Sequence, residues 1–215
     1  MSPGGYDKRG GRSISARPVS ISGSVARPGE GEGEGESEGR GEEDGGLDAP
    51  GRVLPELLAP GLRVVFVGSA AGRVSARRGA YYAGPGNRFW PILAETGLTP
   101  RLFAPEAFPA LLPLGIGLSD VNARQSGADS SLDPAADDPS GLEARLRAAR
   151  PAIVAFNGKR PAAAALGRPS RGLRFGRQAE DWAGAACWVL PSTSGLAVRW
   201  WDPAPWRDLA AAARG

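Results

Sequence analysis

The chain has 215 residues and a formal net charge of +3, with one cysteine and no histidine. The single Cys187 excludes an internal disulfide and any cysteine-based zinc cluster, and the missing histidines exclude Ser-His triads, imidazole bases and histidine-ligated metals. Any general base must therefore be a carboxylate, and no metal or cofactor is expected.

Residues 1–50 hold few aromatic or large aliphatic side chains and include Gly29-Glu-Gly-Glu-Gly-Glu-Gly-Glu-Ser-Glu-Gly39. A segment with so little to bury cannot offset its conformational entropy, so a disordered, low-complexity tail is expected there. It reads as a solvated linker, or alternatively as a tethered arm that modulates contact with a partner. The tail carries 6 basic and 10 acidic residues, which leaves 20 basic and 13 acidic residues in 51–215. That excess suits a polyanionic partner, although an Arg- and Ala-rich composition also follows from a GC-rich genome. Residues 51–215 suit one domain in size. No run reaches the roughly 18 apolar residues of a membrane span and the N-terminus lacks a signal-peptide core, so a cytoplasmic protein is expected.

In chain order, Val64–Val67 is a short apolar run rich in β-branched residues and predicts a buried strand. Arg88 to Thr96 predicts a helix ended by Gly97, and Phe108–Leu114 a short helix or loop. Gly115–Val121 reads as a second strand with tight-packing glycines. Leu142 to Arg150 has helical spacing and stops before Pro151. Ile153–Asn157 is a third strand, with Gly158-Lys159 turning into a helix over Pro161–Leu166. Cys187–Leu190 is a fourth strand and Pro205–Arg214 a closing helix. This alternation predicts an α/β fold, a three-layer α/β/α domain with a short, mostly parallel central sheet. Ligands of such folds sit beyond the carboxyl ends of the strands, which directs attention to the loops 68–72, 120–126, 157–159 and 191–199.

The most informative stretch follows the first strand. Gly79-Ala-Tyr-Tyr-Ala-Gly-Pro-Gly-Asn-Arg-Phe-Trp90 combines paired aromatics, an Asn, an Arg and several Gly and Pro residues. Such a segment suits a flat group held between an aromatic face and backbone amides. With Gly115-Ile-Gly-Leu-Ser-Asp120, Ala155-Phe-Asn-Gly-Lys159 and Pro191-Ser-Thr-Ser-Gly195, it resembles the mismatch-specific uracil/thymine-DNA glycosylases over about three quarters of the chain. The resemblance implies an enzyme that extracts a nucleotide from the stack and hydrolyses its N-glycosidic bond in base-excision repair, acting as a monomer. Its partner would be double-stranded DNA containing deaminated or mismatched bases. Better-known members carry Gly-Ile-Asn-Pro-Gly in the first loop, whose Asn positions the attacking water. Here the loop is Gly68-Ser-Ala-Ala-Gly72, with Ala70 in that place. This form resembles a bacterial subgroup in which an Asp of the pocket wall is implied to take over.

The chemistry needs a carboxylate near the sugar, both as ion partner of an oxocarbenium and as acceptor for water. Asp120, at the end of the second strand, is the first candidate and Asp129 the second; a turn or cap residue is the alternative for Asp120. Tyr82 is expected to stack on the extruded base, and Asn87 to contact its edge or to serve as a turn residue. The amides of Gly68, Ser69, Ala70, Ala71 and Gly72 offer a nest for a pyrimidine carbonyl. Ser192, Thr193 and Ser194 suit phosphate clamping, as do Asn157 and Lys159. The resemblance implies that Leu196 fills the hole left by extrusion and that Arg199 touches the widowed base. Trp200, Trp201 and Trp206 read as core or C-terminal packing. Two other readings stay open: a lesion-binding protein that has lost catalysis, motivated by Ala70, and a nucleotide- or phosphate-binding module.

Overall fold

Five-residue apolar runs bury most economically as strands covered on both faces, and that is how this chain uses them. The computed structural model describes residues 51–214; the expectations for residues 1–50 lie outside them. β1 (Val64–Gly68), β2 (Ile116–Asp120) and β3 (Ile153–Asn157) are buried along their whole lengths, and β5 (Ala186–Leu190) along all but its first residue. With β4 (Gly176–Arg177), the sheet order is β2-β1-β3-β5-β4, with β1 parallel to β2 and β3, and β3 parallel to β5.

Alternation along each strand divides the interior into two cores. Val64 and Phe66 face one side, with Ile116, Leu118, Ala155 and Leu190. α2 (Phe89–Glu95) and α5 (Ala204–Ala212) close that side through Phe89, Ile92, Trp206 and Leu209. Val65 and Val67 face the other, with Val154, Phe156 and Cys187, under α3 (Pro139–Ala149) and α4 (Lys159–Leu166). The expected three-layer α/β/α arrangement is therefore present. Cys187 is fully buried, and burial pushes its thiol up to about 11, which leaves it unreactive.

The element bounds follow local chemistry. α3 begins three residues before the expected Leu142 because Asp138 Oδ1 accepts the Gly141 amide at 2.9 Å and Pro139 is preset for a first turn. Pro105–Leu114 is a 3₁₀ helix interrupted by Pro109 and Pro113, which deny it α-helical bonding. Two elements carry too little pattern to read in advance: α1 (Arg73–Arg78) and the antiparallel edge strand β4 (Gly176–Arg177). The opposite edge of the sheet is covered by Leu57, which exchanges two backbone bonds with Leu118. Gly117 makes this approach possible, since a Cβ there would lie 2.7 Å from the Leu57 carbonyl oxygen.

Candidate active site

β1 and β2 end in register, so Gly68 pairs with Asp120. With no side chain on Gly68, the Asp120 carboxylate lies across its Cα. A Cβ on Gly68 would collide with Asp120 Oδ1 and lie 3.3 Å from the Tyr82 hydroxyl. Both oxygens thus converge on one point at the carboxyl end of the sheet. Asp120 is only 4% exposed. Burial pushes its carboxyl up to about 7; the Arg52 charge opposes that rise and the Glu56 charge adds to it. Glu56 is itself buried between Arg52 Nη2 at 3.0 Å and Arg145 Nε at 2.9 Å, and accepts a bond from the Ser119 hydroxyl.

Tyr82 holds a left-handed backbone conformation (φ 55°), rare for a bulky residue outside a constrained site. Its ring stacks on Phe89 at 3.9 Å between centroids. Its hydroxyl is buried and has no hydrogen-bond partner among the described residues. Burial first, then the Asp120 charge, raise its pKa well above the ordinary phenol value, while nearby Asn157 opposes the rise without completing a bond of normal geometry. The hydroxyl is therefore a neutral donor beside a carboxyl group.

These groups line a cavity of about 910 Å³ that also takes in Ala70, Asn87, Asn157 and Thr193. The volume fits a nucleoside-sized ligand. Its walls are braced across the strands. Asn157 donates from Nδ2 to Thr193 Oγ1 at 2.8 Å and accepts from the Thr193 amide at 2.9 Å. The Thr193 carbonyl in turn accepts from the Arg88 amide at 2.8 Å. Gly195 presses on the same segment: a Cβ there would lie 2.7 Å from the Pro85 carbonyl oxygen. The loop after β1 is fastened to the loop after β2 by bonds from Val121 to Gly68, Asn122 to Ser69 and Gly127 to Ala71.

Over residues 55–212 the sequence matches the model of the uracil DNA glycosylase superfamily. The chain belongs to that superfamily. Its fold is also similar to a solution NMR structure of a candidate uracil DNA glycosylase from Methanosarcina acetivorans. That match has a TM-score of 0.55 and 23% identity, and covers 75% of this chain and 97% of the other. Membership makes the protein a DNA glycosylase, a hydrolase that acts on DNA.

Within this superfamily member, the residues singled out in the sequence distribute unevenly around the cavity. Asp120, Tyr82, Asn87, Asn157 and the loop Gly68 to Gly72 all line it, as do Ser192, Thr193, Ser194 and Leu196. Asp129 also reaches its wall but is exposed, in a 3₁₀ turn at the rim. Asn87 Oδ1 accepts the Phe89 amide at 3.0 Å, a turn contact at the start of α2. Asn157 is braced by Thr193 at both ends of its amide, which fixes its orientation in the cavity wall. Lys159 lies away from the cavity lining, with Nζ 4.9 Å from the Phe175 ring centre. Arg199 is exposed, with its guanidinium 5.4 Å from the ring centre of Trp200. Trp206 packs in the core as expected, but Trp200 does not: it is 71% exposed and lines the mouth of the cavity. The triad of Arg52, Glu56 and Arg145 behind Asp120 escaped the sequence reading, because Arg145 is far along the chain from the Arg52–Glu56 pair and the pair alone marks no site.

Proposed function

We propose that the protein is a monofunctional glycosylase that extrudes and removes uracil from G·U mismatches in double-stranded DNA, in the manner of the mismatch-specific subgroup. The observation that carries this reading is the buried Asp120 carboxyl group beside the Tyr82 hydroxyl at the strand ends. An N-glycosidic bond breaks with positive charge on the sugar and negative charge on the leaving base. Asp120, once ionised, supports the sugar cation and accepts a hydrogen bond from the attacking water. It thereby takes over what Ala70 cannot do in the loop after β1. Asp120 is better suited than Asp129, whose exposed carboxylate is screened by solvent at the rim.

Tyr82 lines the cavity with its ring backed by Phe89, and that ring stacks on the extruded base. The amides of the Ser69 to Gly72 loop receive a pyrimidine carbonyl and spread the charge of the leaving group. Ser192 and Ser194 hold phosphates flanking the extruded nucleotide, and Leu196, 87% exposed, enters the vacated stack. Water is the one co-substrate this chemistry requires, and a monomer suffices for it.

The test is single-turnover cleavage of fluorescent duplexes carrying one G·U, A·U, G·T or hypoxanthine site, followed by alkali to nick abasic products. The expected result is nicking of the G·U strand that disappears in Asp120→Asn. Salt-sensitive DNA binding without cleavage of any lesion would replace the reading with a lesion-binding protein.

A further inference from the structure

The segment Gly195–Trp200 presents an aromatic group that the proposed reaction does not use. Leu196, Val198 and Trp200 are 87%, 56% and 71% exposed. The segment is held at both ends. Gly195 abuts Pro85, and the Ser194 hydroxyl accepts the Leu196 amide at 3.3 Å. At the far end the Trp201 ring lies 6.4 Å from Trp206 and 5.4 Å from the Arg88 guanidinium. Trp201 therefore anchors the chain, and its neighbour Trp200 is presented outward at a defined place.

That place is the mouth of the cavity, where Trp200 joins Leu196 and Ala197 in the lining. One ring face is approached by the Arg199 guanidinium at 5.4 Å, a cation–π contact that sets positive charge beside an aromatic plane. A wet indole at the edge of a nucleotide-sized cavity, with a cation next to it, matches the two halves of a nucleotide: a flat base and a phosphate. We infer that Trp200 is a stacking platform for the nucleobase adjacent to the extruded nucleotide on the same strand. This rests on the reading of the cavity as the seat of an extruded nucleotide. An indole face accepts any base, so the contact is tolerant of sequence. It is available only when the neighbouring base leaves its own stack, which single-stranded DNA permits at little cost. The protein therefore binds uracil in single-stranded DNA through Trp200, as well as uracil in a duplex.

The experiment uses full-length protein with Asp120→Asn, and single strands carrying uracil with 2-aminopurine on its 5′ or its 3′ side. A duplex with 2-aminopurine opposite uracil is the comparison. Binding is expected to quench 2-aminopurine at one flank of the single strand. Adding Trp200→Ala should abolish that quenching and weaken single-strand binding by about ten- to a hundredfold, whereas Trp200→Phe keeps most of both. Thermal unfolding should not move, because the residue is largely solvent-exposed. Unchanged quenching and affinity in Trp200→Ala would overturn the inference. So would quenching confined to the base opposite uracil, which would give Trp200 to the other strand. Loss of the inference alone leaves wild-type cleavage of G·U duplexes intact. Absence of both cleavage and DNA binding in the wild type would remove the glycosylase reading and this one together.

Discussion

Asp120 Oδ1 occupies the space that a methyl group on Gly68 would need. The relationship follows from register: the two residues end adjacent parallel strands and face each other directly. A buried carboxyl group is tolerated there because the Arg52 charge partly opposes its desolvation.

Replacing Gly68 by Ala is accordingly expected to displace the carboxylate rather than to unfold the sheet. A displacement of about 1 Å at a reacting group costs roughly a hundredfold in rate. Single-turnover cleavage should fall by about that factor while far-UV circular dichroism stays unchanged. Wild-type turnover in Gly68→Ala would show that the position of Asp120 does not matter to the reaction.

The pH profile is set by the same carboxyl group. In the proposed reaction Asp120 acts as a carboxylate, and burial raises its pKa to about 7. Activity measured as kcat/KM should rise about tenfold per pH unit below 7 and flatten above it. A profile that is flat from pH 5 to 8 would mean that a group other than Asp120 sets it.

Stability should move the opposite way. Unfolded Asp120 gives up its proton near 3.8, whereas folded Asp120 keeps it to about 7. Folding takes up a proton between those values. The contribution of Asp120 to stability is therefore full below pH 3.8 and is lost as pH rises through 7. Asn cannot ionise, so Asp120→Asn should stabilise the protein at pH 8 by about 1–4 kcal/mol, with the gain vanishing towards pH 4. Urea melts of both proteins at the two pH values measure this. An equal difference at both would mean that packing, and not ionisation, separates them.

Asn157 and Leu196 should part company when each is cut back to Ala. Asn157→Ala leaves Thr193 without two buried bonds, so stability should drop by about 1–3 kcal/mol. Leu196→Ala removes an exposed side chain and should change stability by less than about 0.5 kcal/mol. Its cleavage of duplex DNA should nonetheless fall about tenfold, because nothing then fills the vacated stack. Thermal melts beside duplex cleavage rates separate the two. A stable, fully active Leu196→Ala would withdraw the wedge role.

The sequence by itself determined the layers of this fold. Continuous apolar runs such as Val64–Val67 and Ile153–Phe156 can be satisfied only by burial on both faces, and the intervening helical patterns supply that cover. It also determined that chemistry would gather after those strands, since Gly68, Asp120 and Asn157 each close one of them. What only the tertiary structure decided was which polar groups remain free. Asn157 is locked onto Thr193, Glu56 is buried between two arginines behind Asp120, and Trp200 stands in solvent while Trp206 is buried. Hydrogen bonds and burial between such residues depend on distances across the sheet order β2-β1-β3-β5-β4, and local spacing along one chain carries no record of those distances.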